Sequence, residues 1–435
     1  MDSQCKLFSD PVHGFISVPR ELLLPLIQTP EVQRLRRICQ LGVGYMVYPG
    51  GEHTRFTHAL GAMALMQDTL ASLSEKGTPI SPEEHQAALA AALLHDVGHG
   101  PFSHTLEYEL ISNFEHEAMS RAILLSLNER FDGALDLAID IFDGTYERPF
   151  FNQLVSSQLD MDRLDYLSRD SFFTGVVEGR VGVQRILKTM RVHPLEGGSD
   201  ARIVIEAKGM YAVENFLIAR RLMYWQVYLH RTVLAGDQVL RAAIRRARKH
   251  LREGTEDAVI GIAPALRFFL QNDLDGRHLE SPEVLRHFCM LDDTDVLFSL
   301  KSWMASEDRI LADLSRRFIE RDFFRTTFLA APPTADQKKA WHDQIATWLL
   351  ARNLSDASSA DDDAAFYLTL DASQHSAYKR LENSISILDD DSNVRELSEI
   401  ADAATIDALT KFVTKPYVCC PKEILINETK AHFLE

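Results

Sequence analysis

The chain of 435 residues has five cysteines, and they show neither the paired spacing of a zinc finger nor the density of a disulfide-stapled fold. No apolar run approaches the about 20 residues that a membrane-spanning helix needs. The first residues, MDSQCKLFSDP, lack the basic and apolar pattern of a secretory signal peptide. From these absences we expect a reduced, cytoplasmic protein with no membrane partner.

Basic residues are also scarce, since 46 lysines and arginines stand against 63 aspartates and glutamates, for a formal net charge of -17. A protein that coats nucleic acid needs a basic surface to neutralise phosphates, so we do not expect nucleic acid as a partner. The arginines that are present concentrate at residues 34–37 and 241–252. Each run is either a solvated helix face or part of a site for an anion, and composition leaves both interpretations open.

Helical spacing of apolar residues dominates the chain, and 46% hydrophobic residues are enough for a large core. The pattern predicts a mainly α protein, with a helical domain over residues 1–330 and a small α+β lobe over 331–435. The alternating ARIVIEA at 201–207 predicts a strand or hairpin. Residues 210–251 predict one long helix that breaks near Gly236, and residues 394–412 predict another helix.

The run ALLHDVGHGPFSH contains the adjacent pair His95 and Asp96. A predicted helix over 82–94, with Ser81 as its N-cap, leads into this pair and is broken soon afterwards by glycines. A helix end followed by a glycine turn allows two adjacent side chains to converge on one point. His99 and His104 follow within ten residues, and the alternative is a set of scattered surface or capping histidines.

Two further runs offer partners for that pair. GGEHTRFTHALG contains His58, with Arg55 on the same predicted helical face, and QLDMDRLDYLSRD contains Asp162. Taken singly, His58 could be a core histidine and Asp162 part of an exposed acidic face. Two imidazoles and two carboxylates together suit a borderline divalent ion, which can activate water and polarise a phosphoryl oxygen. We therefore expect the metal core of the helical domain at about residues 50–175.

Together these runs give the pattern H…HD…D. Further motifs surround the pattern, and the segments concerned are SDPVHGFISVP, PEVQRLRRICQLGVGYMVYPGGEHTRFTHALG, LLHDVGHGPFSH, FEHEAM, DMDRLDYLSRDSFFTG and ENFLIARRLMYWQVYLHRTV. In this the chain resembles the HD-domain phosphohydrolase superfamily, and within it the deoxynucleoside triphosphate (dNTP) triphosphohydrolases of the SAM-and-HD-domain type. Specific motifs cover roughly the first 240 residues. Because the pattern begins so early, we expect no SAM domain. The resemblance implies the helical HD fold.

The resemblance also implies roles for individual positions. The implied metal ligands are His58, His95, Asp96 and Asp162. The implied catalytic residues on the α-phosphate side are His99, His104, His116 and Glu117. The implied substrate contacts are Gln40, Leu41, Arg55, Arg163, Tyr166, Asp170, Arg220 and Tyr228. The arginines would hold the triphosphate and the tyrosines would pack against deoxyribose, although aromatic residues at these spacings could equally be core.

Nucleotide effectors and subunit assembly are further implications of the resemblance. Gln33 and Arg36 match two effector-contacting positions, whereas Gln28 replaces the carboxylate that vertebrate-type enzymes use to read guanine. Allosteric activation by a nucleotide is therefore expected without a defined base. A homo-oligomer, tetramer or dimer, is also implied.

The expected reaction is attack of water on the α-phosphorus of a dNTP, such as dGTP, to give deoxynucleoside and inorganic triphosphate. The metal could be Mn, Fe, Mg, Ni, Co or Zn. The leaving oxygen needs a proton, and His104 competes with the pair His116 and Glu117 as its donor. Two other classes stay open: a different HD phosphohydrolase, such as a nucleotidase or phosphodiesterase, and a metal-bearing nucleotide sensor or scaffold with little turnover.

Overall fold

The computed structural model describes residues 4–194, 201–380, 384–400 and 403–424. The strands are β1 (Cys5–Asp10), β2 (Gly14–Pro19), β3 (Met190–Pro194), β4 (Ala201–Glu206), β5 (Arg325–Phe328), β6 (Thr369–His375), β7 (Ser386–Leu388), β8 (Val394–Glu396) and β9 (Val413–Cys420). The helices of the first half are α1 (Leu23–Ile27), α2 (Pro30–Arg34), α3 (Arg55–Glu75), α4 (Pro82–Leu94), α5 (Glu107–Leu110), α6 (His116–Arg130), α7 (Asp136–Asp143), α8 (Phe150–Val155), α9 (Met161–Thr174) and α10 (Val183–Thr189). Those of the second half are α11 (Met210–Met223), α12 (Arg231–Glu253), α13 (Pro264–Gln271), α14 (Pro282–Phe288), α15 (Asp293–Trp303), α16 (Arg309–Ile319), α17 (Ala335–Ala351), α18 (Ala360–Ala364), α19 (Leu397–Ile400) and α20 (Ala403–Thr410).

This architecture confirms the expected mainly α fold with a small α+β lobe at the C-terminal end. At its centre α3 packs against both α4 and α9. The start of α4 is the predicted one, because the Ser81 hydroxyl accepts from the Glu84 N–H and the Glu84 carboxylate accepts from the Ser81 N–H. From Ala87 to Leu94 every residue of α4 is buried, so this helix forms the middle of the core.

Three small sheets tie distant parts of the chain together. β1 and β2 form an antiparallel hairpin, and β3 and β4 form the hairpin that the alternating segment at 201–207 predicts. β4 also pairs in parallel with β7, and β9 lies between β5 and β6. Two of the sheets therefore combine strands from both sides of residue 330. The division of the chain into units at 330 and 331 stays a prediction.

The long helix expected over 210–251 breaks elsewhere than predicted. α11 ends in a π-helical turn, Tyr224–Tyr228, and α12 begins after His230, whose ring accepts from the Thr232 N–H. Gly236 lies inside α12, where a Cβ would be 2.6 Å from the Val43 side chain. A glycine at position 236 therefore allows α12 to pack closely against Val43, and it does not end the helix.

The helix expected over 394–412 is also only partly correct. Its first residues form β8, and α19 and α20 follow, with residues 401–402 outside the described residues. No helix in the described part of the chain combines the length and apolarity needed to cross a membrane.

Candidate metal centre and its surroundings

Four side chains converge where α3, α4 and α9 meet. His58 lies on the first turn of α3, His95 and Asp96 directly follow α4, and Asp162 lies on the first turn of α9. One potential ligand atom from each lies within 4.8 Å of the others. The His58 Nε2 is 3.3 Å from the His95 Nε2 and 3.1 Å from an Asp162 oxygen. The structure thus brings together all four residues that the sequence nominates as ligands.

The outer nitrogens of both imidazoles are already engaged. The His58 Nδ1 donates to Asp165 over 2.7 Å, and the His95 Nδ1 donates to the Ala92 carbonyl over 2.8 Å. In the neutral form that binds metal, each ring would therefore carry its proton on Nδ1 and direct the Nε2 lone pair to the shared centre. Such outer contacts are the usual support of metal-binding histidines. With two carboxylates beside them, these residues fit a divalent metal ion.

Asp165 anchors a buried network behind His58. Its carboxylate accepts from His13 over 2.5 Å and from two nitrogens of Arg169, which also donates to Asp10. A Cβ at Gly61 would lie 1.9 Å from an Asp165 oxygen, so only glycine on α3 allows this approach. Burial opposes ionisation of Asp165, but Arg169 and the two histidines hold its pKa well below its usual range. The sequence analysis did not nominate His13, Asp10 or Arg169 for this network.

Arg55 lies inside the centre and is already paired. Its guanidinium contacts Asp96 and donates to the Ser103 hydroxyl over 2.9 Å. Burial opposes the charge of Asp96, but His99, His95 and Arg55 together hold its pKa well below its usual value. Asp96 is therefore an ionised carboxylate with a fixed orientation.

A second histidine cluster lies beside the first. His99, His104 and His116 offer ring nitrogens within 4.8 Å of one another, and the His99 and His116 ring centroids are 3.8 Å apart. Glu107 joins them, because its two oxygens accept from the His104 Nδ1 at 2.8 Å and the His116 Nδ1 at 2.9 Å. Glu117, predicted as the partner of His116, is farther away at 3.3 Å and exposed. Glu107 was missed by sequence reasoning, although it lies three residues after His104.

The rings of this cluster differ in environment. The His99 Nε2 is buried without a hydrogen-bond partner among the described residues, and burial, reinforced by Arg55, lowers its pKa well below the usual value. Burial disfavours the charge on His116, but the hydrogen bond to Glu107 raises its pKa. His104 is the most exposed, with 66% of its side chain accessible. The His99 ring is therefore neutral, the His116 ring favours its protonated form, and the His104 ring faces solvent.

The tyrosines nominated for the sugar side form a connected aromatic set. The Tyr166 and Tyr228 rings meet edge to face at 6.1 Å, and Tyr224 of the π-helical turn contacts Tyr228 at 5.1 Å. Asp170 lies buried behind them, where it accepts from the Tyr228 hydroxyl at 2.6 Å and bonds His53 at 2.7 Å. Asp170 thus fixes Tyr228 from behind, and Tyr224 and His53 are additions that the sequence did not suggest.

The remaining arginines lie at the edge of this set. Arg163 pairs with the buried Asp160, and Arg220 donates to the Ala377 carbonyl over 3.2 Å. Burial and then Tyr224 raise the pKa of the Tyr166 hydroxyl, whereas the charges of Arg220 and Arg163 act in the opposite direction. Both arginines therefore lie close to the tyrosine.

The residues before α3 have separate environments. The Gln40 N–H donates to the His53 carbonyl over 3.0 Å, and its side-chain oxygen is buried without a partner among the described residues. Leu41, next in the chain, packs partly buried against the core. Gln33 and Arg36 bond one another at 3.0 Å, and the Arg36 guanidinium covers the Phe56 ring.

The two basic runs are not free positive surfaces. Arg34 is fully buried and donates to the carbonyls of Leu291, Val97 and His99, so it belongs neither to a solvated helix face nor to an exposed anion site. Its guanidinium thus satisfies three backbone acceptors in the core. On α12, Arg245 pairs with Glu109 and Arg246 with Asp308.

Comparison with known proteins places this geometry in a class. Residues 55–170 match the HD domain and residues 181–259 match the HD associated region. The uncharacterized protein YwfO of Bacillus subtilis is 33% identical over 98% of this chain and 95% of its own length. A crystal structure of a phosphohydrolase from Bacteroides thetaiotaomicron superposes with a TM-score of 0.88 at 41% identity, over 96% of this chain and 99% of that one.

More distant similarity reaches enzymes with a named activity. The deoxynucleoside triphosphate triphosphohydrolase SAMHD1 of Homo sapiens is 29% identical over 56% of this chain, which spans 44% of that protein's length. The helical fold and the histidine and aspartate centre define a protein of the HD class. The extended matches show that the chain belongs to the HD-domain phosphohydrolase family.

Proposed function

We propose that the protein is a metal-dependent triphosphohydrolase that converts a dNTP and water into deoxynucleoside and inorganic triphosphate. The observation that carries the proposal is the juxtaposition of the two clusters. Four potential ligand atoms lie within 4.8 Å of one another, and beside them lie three imidazoles, two of which share one carboxylate. One cluster suits a cation, and the other suits proton transfer next to it.

His58, His95, Asp96 and Asp162 would hold the metal. When bound, a divalent ion polarises a phosphoryl oxygen and lowers the pKa of water. Mn, Fe, Co, Ni, Zn and Mg all accept nitrogen and oxygen ligands to some degree, and the donor set does not choose among them. Asp165 and the Ala92 carbonyl keep the two imidazoles in the tautomer that can bind a cation.

The second cluster supplies the proton for the leaving 5′-oxygen. Glu107 fixes Nδ1 of both His104 and His116, so proton transfer to a substrate would use Nε2, which in His116 lies 3.3 Å from Glu117. His116 favours its protonated form because of Glu107, so it can store the proton. His104, being exposed, can exchange with solvent. We therefore propose that the two rings act as a linked pair, with Glu117 as a minor contributor and the neutral His99 as a hydrogen-bond partner of the phosphate.

The arginines and tyrosines select the substrate. Arg55, Arg163 and Arg220 provide the cations that a triphosphate needs. Tyr166 and Tyr228, of which Tyr228 is fixed by Asp170, form an aromatic wall that can pack against deoxyribose and exclude a 2′-hydroxyl. Gln40 retains a buried oxygen without a described partner, which can accept from a base or sugar, and Leu41 packs beside it.

Product analysis tests this function. Metal-loaded protein is incubated with each dNTP and each ribonucleotide, and the products are separated by anion-exchange chromatography. Triphosphate with deoxynucleoside is the expected result. Pyrophosphate with monophosphate, or no reaction with any dNTP, overturns the proposal. The Asp162→Asn variant is the matched control, because it removes one ligand charge while keeping the side chain's shape.

A second candidate is a different HD phosphohydrolase, a nucleotidase or phosphodiesterase, which would share the same metal ligands. The exposed side chain of His104 favours this second candidate, because a small or cyclic phosphoester can reach the ring. The same assay, extended to monophosphates and cyclic nucleotides, separates the two.

Effectors and assembly complete the proposal. Gln33 and Arg36 would contact an activating nucleotide, and the chain would form a homodimer or tetramer. Sedimentation with and without dNTP mixtures tests both: a shift to a larger species together with faster turnover is expected, and an unchanged monomer contradicts it.

A further inference from the structure

Asp293 is a buried carboxylate that reaches two separate segments of the candidate site. It begins α15, and the residue is only 5% exposed. One oxygen accepts from the Phe102 N–H at 2.7 Å, and the other accepts from the Cys39 N–H at 2.8 Å. The first segment leads into His104 and the second into Gln40. Sequence reasoning singled out neither Asp293 nor this connection.

The segment before His104 is backbone that needs external support. Phe102 and Ser103 both have a φ of 55°, in the left-handed region that non-glycine residues avoid. Each such residue costs on the order of 1 kcal/mol or more. A left-handed pair persists only where surrounding contacts fix it, and the Asp293 carboxylate bonds the N–H at its start.

The two segments also contact each other directly. The Ser103 hydroxyl donates to the Cys39 carbonyl over 3.0 Å. Gly42 has a φ of 52°, and a Cβ there would lie 2.7 Å from the Phe102 carbonyl oxygen. Residues 39–42 and 102–105 are thus interlocked, with Asp293 bridging their backbones from the side of α15.

A carboxylate suits this position better than any neutral side chain. Its two oxygens accept from two N–H groups that face it from different segments, and a carboxamide has only one such oxygen. Burial raises the pKa of Asp293 to about 6, so the group is ionised at neutral pH. Neighbouring Asp292 does not compete, because it pairs with Arg37 at 2.5 Å.

We propose that Asp293 is a positioning residue that fixes the proton-transfer side of the site, at His104, relative to the nucleotide side, at Gln40 and Leu41. The assignment of those sides rests on the proposed function. Asp293 itself touches no ligand of the metal cluster in the described structure, so it acts through the two loops alone.

The test compares Asp293→Asn with Asp295→Asn. Asp295 lies two residues later on the same helical turn. Among the described residues its carboxylate accepts one hydrogen bond, from the Asp292 N–H, and a carboxamide oxygen can accept it equally well. Both variants remove the same charge from the same helix end. Amide hydrogen exchange, metal content, kcat and KM are measured for each.

For Asp293→Asn we expect faster exchange confined to residues 39–42 and 102–105, unchanged metal content, and a loss of kcat/KM of about 10- to 100-fold, the scale on which misplaced groups slow a reaction. Asp295→Asn should match the wild type. If Asp293→Asn matches its control, or if exchange rises uniformly across the chain, the proposal is overturned. Should the wild type cleave no dNTP, the proposed function fails, and hydrogen exchange still decides the role of Asp293.

Discussion

The two histidine clusters differ in what holds their rings. His58 and His95 are buried, and each has its outer nitrogen fixed by a different core group, Asp165 or a helix carbonyl. His104 and His116 instead share one carboxylate, Glu107, and His104 is largely exposed. The first arrangement fixes geometry, as metal binding requires. The second allows a proton to move and exchange, as acid catalysis requires.

The largest effect that would test this contrast is expected for Asp165→Asn. The change leaves Arg169 and two histidines facing a neutral group in the core, and breaking a buried ion network of this kind costs about 3–5 kcal/mol. Metal affinity should fall about 10- to 100-fold. Chemical denaturation and metal titration measure the two effects. Asp162→Asn is the comparison: it should lose metal affinity while the metal-free protein loses less unfolding free energy than Asp165→Asn does. Equal stability losses in both variants would contradict the distinction.

Next in size are the single changes His104→Ala and His116→Ala. Each should keep the metal content of the wild type and lose turnover by about 10²- to 10⁴-fold, the usual contribution of general acid catalysis. Elemental analysis and single-turnover rates give the two readouts. A variant that keeps the wild-type rate removes its residue from the mechanism.

A pH effect of intermediate size is expected for Glu107→Gln. The hydrogen bond to Glu107 raises the pKa of His116 despite burial. Because the folded value exceeds the unfolded value of about 6.5, the stabilisation is complete below that pH and is lost as the pH rises through the folded value. In metal-free protein, NMR titration should give a lower His116 pKa in Glu107→Gln than in the wild type. An unchanged titration would show that Glu107 does not control the proton.

The smallest effect is expected at a third group of potential ligands, His342, Asp343 and Asp361. Here Asp343 and Asp361 are exposed, and Asp343 pairs with Lys339. Without a buried supporting network, His342→Ala should leave metal content and turnover unchanged and alter the unfolding free energy by less than about 0.5 kcal/mol. Loss of one equivalent of metal would show that exposure does not prevent binding.

The sequence could predict features that depend on neighbouring residues, and it could not predict most features that depend on distant contacts. The helical fold followed from periodicity, and the cap at Ser81 from local chemistry. The ligand candidates were found because each lies in a local motif at a helix end. Asp165 and Asp293 were not nominated because their roles depend on partners up to 254 residues away in the chain. Glu107 was missed although its partners His104 and His116 lie only three and nine residues away. The predicted helix break at Gly236 was wrong for a related reason. Glycine is needed there because residue 236 packs closely against Val43, and no local sequence pattern encodes that contact.

The most direct test of the central claim is hydrolysis of a dNTP by metal-loaded protein in ¹⁸O-labelled water. If the two clusters direct water to the α-phosphorus, one labelled oxygen will be found in the inorganic triphosphate and none in the deoxynucleoside, and Asp162→Asn will form neither product. Label in the deoxynucleoside, label in a monophosphate released with pyrophosphate, or full turnover by Asp162→Asn would contradict it.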